Sequence, residues 1–504
     1  MQLLLSIALP LILIYLIIHK TRKPPKTLSP PGPRGLPFIG NLHQFAAAAD
    51  PHLYLWKLSQ QHGPIMQLKL GSTPLLVLSS AKSAKEALKT HDRAFSGRPR
   101  LHGQQRLSYN ASDMVFAPYG DYWREMRKIT SLHLFSIRKT QSFRPVREDE
   151  VSRMLERIRS ARGADSSSGV DLSAAAMALS TALICRVAFG RRYEEGGDER
   201  RRFDKMSREA QGLMAAFYLK DYFPWLGWVD RVSGLMDRLE RGFWELDSFY
   251  EELIGERRRR KTAVEGKGKE EEDILGVLIK LKEENSSSIE IGWDNIKALL
   301  MNIFLAATDT TSVSIVWAMT ALMKAPNVMK KVQLEIRNLI GEKAKLDEDD
   351  LPNLPYLKAV IKETLRLYPA GPLLVPRQTI EKCTLEGYEI QPNTTVFVNA
   401  WAIARDPEYW DEPHEFRPER FLDSNIDITG QDFGAIPFGS GRRICPGILM
   451  GLANVELAVA SLVYHFDWQM PPGIRAEDID TDVVPGITMH KKNPLILVAR
   501  DYVV

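Results

Sequence analysis

Between Pro437 and Glu456 the chain reads PFGSGRRICPGILMGLANVE, with Cys445 set behind Arg442–Arg443 and ahead of Pro446–Gly447. Only three cysteines occur, Cys185, Cys383 and Cys445, too scattered for a disulfide framework and without a CxxC pair for zinc. Proline favours the first position of a helix, so Pro446 is expected to put Cys445 at the cap of the helix that follows. There the free N–H groups and the positive dipole end stabilise a thiolate. Gly439, Gly441 and Gly447 let backbone approach a flat ligand, and Arg442 and Arg443 offer fixed charge to carboxylates. A lone thiolate suits haem iron, because porphyrin fills the equatorial positions. A buried structural cysteine is the competing reading of RRIC alone.

Other residues recur at chemically useful spacings. KETLRLYP sets Glu363 and Arg366 at i, i+3 on a helix closed by Pro369, and FRPERF later adds Arg420. Alone, the first pair is an ordinary helical ion pair. AATDTT, Ala306 to Thr311, falls inside a long apolar stretch, where hydroxyls bond back to the preceding turn and bend a helix. YWREMRK places Trp123 and Arg127 four apart, LLVPRQT holds Arg377, and FSGRPR holds Arg98. Each arginine by itself reads as a solvated surface residue.

The spacing F-x-x-G-x-R-x-C-x-G is complete at Phe438, Gly441, Arg443, Cys445 and Gly447. It resembles the haem-binding signature of the cytochrome P450 haem-thiolate monooxygenases. The resemblance implies that Cys445 is the axial iron ligand, that Arg443 binds a haem propionate and that Phe438 shields the sulfur. It implies that Trp123 and Arg127, as W-x-x-x-R, and Arg377 reach a propionate, with Arg98 a weaker candidate. Glu363, Arg366 and Arg420 would form a buried structural cluster behind the cysteine loop, costly to break. Thr310 and Asp309 would line an oxygen groove and relay protons, with Ala306 leaving room above the iron. The family's usual glycine is Ala307 here, and the extra methyl is expected to shift the kink. By the same analogy the pocket draws on Leu101–Ser112, Leu299–Thr310, Ala370–Val375 and Val484–Thr488. Tyr109, Phe304, Leu373, Leu374, Val375 and Ile487 would be its walls. Such walls separate similar ligands by only about 1–3 kcal/mol per methylene, so they name no substrate.

The resemblance covers almost the whole chain. GPRGLPFIGNLHQF, GQQRLSYN, YWREMRKI and DYFPWLGWVD are similar to plant microsomal members of specialised metabolism, above all the branch that includes oxime-metabolising enzymes. The implied fold is mainly α with small β-sheets around haem. The implied reaction inserts one oxygen atom from O2 into an apolar small molecule. No nicotinamide or flavin fingerprint is evident, so electrons come from a partner, by analogy NADPH-cytochrome P450 reductase, docking near Arg124, Lys128 and Arg442. One rival is a haem-thiolate enzyme that couples, cyclises or rearranges its substrate without net oxygen insertion. A more distant one is a non-catalytic, membrane-anchored haem or lipid binder, which needs neither thiolate nor proton relay.

These residues must be positioned by a chain that begins MQLLLSIALPLILIYLIIHK, almost wholly apolar from Met1 to Ile18 and long enough to cross a bilayer. Lys20, Arg22, Lys23 and Lys26 follow, and such a flank stays cytosolic. The expected organisation is a transmembrane anchor at 1–19, a basic, proline-rich hinge at 20–42 and a catalytic domain at 43–504, facing the cytosol from the endoplasmic reticulum. A cleaved secretory signal fits less well, because the charges follow the apolar run and no A-x-A site appears. Proline stiffens the hinge into an extended spacer, with Leu36, Phe38 and Ile39 as candidates to pack on the body. Strands are expected at Ile65–Gly71 and Pro74–Ser80, helices from Ala81 onward, and surface loops at ARGADSSSGVD and Gly255–Asp273. Trp293–Met323 reads as one helix broken by Pro326, and Asp309 and Asn302 argue against a second membrane span. A net charge of +4 is too small to indicate nucleic acid, though it leaves room for anionic lipid. The cysteine pattern fits a reducing compartment.

Overall fold

The computed structural model describes residues 28–161, 169–194, 196–264, 273–341, 343 and 346–502. The expected anchor and the first part of the hinge lie outside them. The rest of the hinge follows a sheet edge: Gln67 N–H donates to Pro31 O at 2.8 Å and Asn41 N–H to Lys69 O at 2.6 Å. A Cβ on Gly40, at φ +60°, would sit 2.1 Å from Lys69 O, so only glycine permits this approach. Leu36, Phe38 and Ile39, candidates to pack on the body, keep much of their surface exposed.

The largest sheet runs Ile65–Leu70, Thr73–Leu78, Thr395–Val398, Arg377–Gln378. Its first pair is antiparallel, its second parallel and its third antiparallel, and the last strand carries Arg377 opposite Val396. The other sheets are small. Val170–Asp171, Ile496–Asp501 and Phe466–Gln469 form one, while Cys383–Leu385 pairs with Tyr388–Ile390 and Val483–Val484 with His490–Lys491.

Helices make up most of the remainder. Trp293–Lys324 is one uninterrupted α-helix with most side chains buried, and Pro326 opens the next helix. Length and hydropathy alone would let it cross a membrane, but 83% of its most apolar window is buried inside the protein. Helices Leu172–Phe189 and Ile448–His465 pack along it. The hydroxyls of Thr308, Thr310 and Ser314 donate to Phe304 O, Ala306 O and Thr310 O, four residues back. Ala307 is half-buried within continuous helix, so its methyl is accommodated without a break. Near the far end, Trp317 stacks on Tyr368 with ring centroids 4.5 Å apart, and its indole N–H donates to Met489 O at 2.8 Å.

The charged stretch from Gly255 is not wholly a loop: helix Leu235–Val264 runs through its first part. Arg, Lys and Glu are good helix formers, and Arg191 pairs with Glu256 at 2.6 Å. Arg258, Arg259 and Arg260 are exposed on this helix.

Helix Pro355–Leu367 carries Glu363 and Arg366, both without solvent exposure. Arg366 donates to both Glu363 carboxylate oxygens at 2.7 and 2.8 Å, and to the carbonyls of Ala404, Pro413 and Glu415. Glu363 also accepts from Arg420 Nε at 3.0 Å and from Arg417 N–H at 2.9 Å. The cluster thus ties the segment ahead of the cysteine loop to a helix that packs on both the central helix and Ile448–His465.

Two outcomes are expected. Glu363→Ala should lower unfolding free energy by about 3–5 kcal/mol in denaturant titrations, because it strands two guanidiniums beneath the surface. His52, buried beside Trp401, is lowered to about 4 by burial, with Arg405 adding to the effect. Its folded value lies below its unfolded one, so the unfolded chain takes up the proton first and stability falls as pH drops from 6.5 toward 4. Against His52→Phe, wild type should lose about 1.4 kcal/mol more per pH unit in that window, read by the same titrations.

Candidate active site

Cys445 lies between a short turn of 3-10 helix, Gly441–Arg443, and the helix Ile448–His465. That helix is capped by Gly447, so Cys445 stands in the turn before the cap rather than at it. Pro446 and Gly447 bend the chain instead of opening the helix. The Cys445 amide donates to Phe438 O at 3.0 Å, closing the motif into a loop. Gly441 has φ +69°, and a Cβ there would meet Leu88 O at 2.2 Å, which makes glycine obligatory. A Cβ on Gly447 would approach Cys445 Sγ to 4.0 Å. Burial pushes the Cys445 thiol up, opposed by the Gly447 N–H and the Arg127 guanidinium. These two do not offset the burial, so a stable thiolate here calls for a cation bound to sulfur.

Around the loop the protein gathers guanidinium groups. Arg443 donates to Ser96 O at 2.9 Å and Ala117 O at 2.7 Å, beneath the Trp123 ring 4.4 Å away. Trp123 Nε1–H donates to Met114 O at 2.9 Å, and Arg127 reaches Ile444 O at 2.6 Å. Arg98 holds the carbonyls of Val115, Val375 and Pro376. Arg377 donates to Ser440 O at 2.7 Å through Nη2. Its Nη1 is buried without a hydrogen-bond acceptor, 3.7 Å from Asp92. Burial lowers Arg443 to about 9 and Arg377 to about 10, and it drives Arg98 well below the usual range with help from the neighbouring arginines.

Asp92 and Asp113 answer this charge only in part. Asp113 has no exposure, and burial pushes it up to about 6 although Asn302 Nδ2 donates to it at 2.7 Å. A buried cationic cradle with an unsatisfied guanidinium nitrogen beside a thiol fits haem: iron for the sulfur, two propionates for the arginines. Asp92 and Asp113 stand in no recognisable motif, and Asn302 falls in the expected pocket segment Leu299–Thr310 without a role of its own.

Across the site, Ala306 and Thr310 are exposed in a helix otherwise mostly buried, and Ala307 is half-buried. They share one face of the helix. Leu373, Leu374 and Val375 are half-buried, and Leu374, at φ +53°, brings Cδ1 within 3.7 Å of where a Gly439 Cβ would lie. Val484 and Ile487 are exposed. Two expected wall residues go elsewhere. Phe304 is fully buried on Phe203, ring centroids 4.3 Å apart, because two residues of helix turn it about 200° from Ala306. Tyr109 is buried against Phe243 and donates to Asp247 at 2.9 Å, bracing its loop. Asp309 is buried, and its Oδ2 meets His490 Nε2 at 3.1 Å, a contact no motif suggested.

Residues 30–498 match the family described as Cytochrome P450. The chain is 46% identical to 6,7,8-trihydroxycoumarin synthase of Pastinaca sativa, over 99% of this chain and 98% of that one. It is 45% identical to strychnine-11-hydroxylase of Strychnos nux-vomica, over 96% and 94%. Among solved structures, a zebra fish cytochrome P450 with progesterone superposes with TM-score 0.76 at 26% identity, covering 90% of this chain and 100% of that one. A match of this extent, converging on a loop built to hold a thiolate against buried positive charge, makes the chain a member of the cytochrome P450 family, a haem-thiolate monooxygenase.

Proposed function

We propose that this enzyme inserts one oxygen atom from O2 into a rigid, largely apolar ring metabolite of plant specialised metabolism. Electrons come from NADPH-cytochrome P450 reductase at the endoplasmic reticulum membrane. The observation that carries the reading is the Phe438–Gly447 loop, which presents Cys445 amid buried guanidiniums. Bound haem supplies reductive activation of O2, and a thiolate ligand favours O–O cleavage. The chain's own residues do the rest. Arg98, Arg127, Arg377, Arg443 and Trp123 would hold and orient the propionates, while Gly441 and Gly447 let backbone approach closely and Phe438 would cover the sulfur. Ala306 leaves space, Thr310 and Asp309 hold and move protons, and Leu373, Leu374, Val375 and Ile487 exclude water and orient the substrate. The names of the Pastinaca and Strychnos relatives, a coumarin synthase and a strychnine hydroxylase, support a rigid ring substrate.

The membrane placement draws support from an exposed apolar surface. Phe217, Trp225, Trp228 and Val232 are exposed, as are Leu36, Phe38 and Ile39 of the hinge. The two groups meet around Gly71 and Ser72, whose amides donate to Ile39 O at 3.1 Å and Tyr222 O at 2.9 Å. Tryptophan beside apolar side chains suits a lipid headgroup boundary. For the reductase, Arg124 and Arg442 flank one tyrosine, Tyr119, and Lys128 lies one turn along the helix from Arg124.

Reduced wild type should give a strongly red-shifted Soret band with carbon monoxide, and Cys445→Ser should lose either haem or that band. Haem uptake by wild type without the shifted band would remove the reading. Reversing Arg124 and Lys128 to glutamate should slow reduction roughly tenfold at low salt and less at high salt. Unchanged reduction kinetics would discard this docking face.

A further inference from the structure

Thr310 is the hydroxyl on the open face of the central helix, and it donates to Ala306 O at 2.6 Å. A threonine hydroxyl that gives up a proton must recover one from a neighbour. The adjacent carboxylate, Asp309, is nearly shut off from solvent, with 9% of its side chain exposed. Its Oδ2 has a single protein partner among the described residues, His490 Nε2 at 3.1 Å. His490 keeps 33% of its side chain exposed, so one ring spans the distance from the buried carboxylate to water.

The position of that ring is built. His490 begins a strand paired with Val483–Val484, in register with Val484. The residue before it is held twice, by Trp317 Nε1–H on Met489 O at 2.8 Å and by Met489 N–H on Ala370 O at 2.8 Å. The nearby cations are engaged elsewhere: Lys491 pairs with Asp480 at 2.8 Å, and Lys492 lies 4.0 Å from Asp482. Asp309 is the carboxylate within reach of the ring, at 3.1 Å.

We propose that His490 is the outer station of the proton path, passing protons from bulk water to Asp309, which supplies Thr310. This inference rests on the monooxygenase reading. Each oxygen insertion consumes O2, two electrons from the reductase and two protons, placing one oxygen in the product and the other in water. Every proton leaving Asp309 is replaced through His490 Nε2–H, and the ring recovers one from solvent. Histidine suits the task because its two nitrogens can accept on one side and donate on the other. His490 touches no reacting atom; it acts through Asp309.

The experiment uses the full-length membrane enzyme with NADPH-cytochrome P450 reductase and no added substrate, measuring hydrogen peroxide formed per NADPH consumed. Poor proton supply releases peroxide where good supply carries O2 on to water. His490→Leu and His490→Gln should both raise peroxide per NADPH by about twofold, with the carbon monoxide band and the rate of first reduction unchanged. Glutamine keeps a hydrogen bond to Asp309 but cannot exchange protons as a ring does. A wild-type yield in His490→Gln would therefore overturn the relay. Independently of turnover, thermal unfolding of Asp309→Asn, His490→Leu and the double variant should be non-additive, the double falling no further than the worse single. Additive losses would overturn the contact itself. If wild type consumes no NADPH, the monooxygenase reading fails; if it does and the His490 variants match it, only this inference fails.

Discussion

A carboxylate with no solvent exposure, Glu363, is bound by two guanidiniums and a backbone amide, and much of the molecule hangs from it. Burying such charges is expensive, and the cost is offset only because every Arg366 donor finds an oxygen on Glu363, Ala404, Pro413 or Glu415. Those carbonyls belong to the chain that leads toward the cysteine loop. Fixing them fixes the path by which Phe438–Gly447 reaches the interior. A hydrophobic pairing could hold these segments together, but it would not dictate which carbonyl faces which N–H. Here directionality, more than raw stability, is what the ion cluster contributes.

The cysteine loop and the central helix are built on different principles. On the cysteine side, close backbone approach and buried charge dominate, as at Gly441 and Arg377. On the opposite side a continuous helix exposes Ala306 and Thr310 while its flanks are sealed into the core. Hydroxyls bonded back along that helix satisfy themselves locally and leave its backbone ladder unbroken. Leu373–Val375 are half-buried, and Val484 and Ile487 stay exposed outside the core.

Features carried by contiguous residues are legible in the sequence. Cys445 with its glycines forms an uninterrupted string, and Pro326 marks the end of the central helix. Long-range partners are not. Asp113 with Asn302 and Asp309 with His490 join residues whose types are ordinary taken singly. Local propensity also misled where packing overruled it. Pro446 looked like the start of a helix, yet the loop needs its turn there, and Phe304 fell in a pocket-lining window but on the wrong helical face. The charged run after Gly255 read as loop because charge signals exposure, while its residue types still favour helix.

The buried guanidiniums around Cys445 also bear on how the enzyme comes to exist in a cell. Arg98, Arg377 and Arg443 carry interior positive charge that Asp92 and Asp113 match only partly. A dianionic cofactor that relieves this imbalance binds the native chain and not the unfolded one, so its concentration enters the folding equilibrium by mass action. Holoenzyme abundance is then coupled to haem biosynthesis as well as to transcription. Where haem is scarce, less of the chain would reach the folded, cofactor-bound state even with its messenger RNA intact.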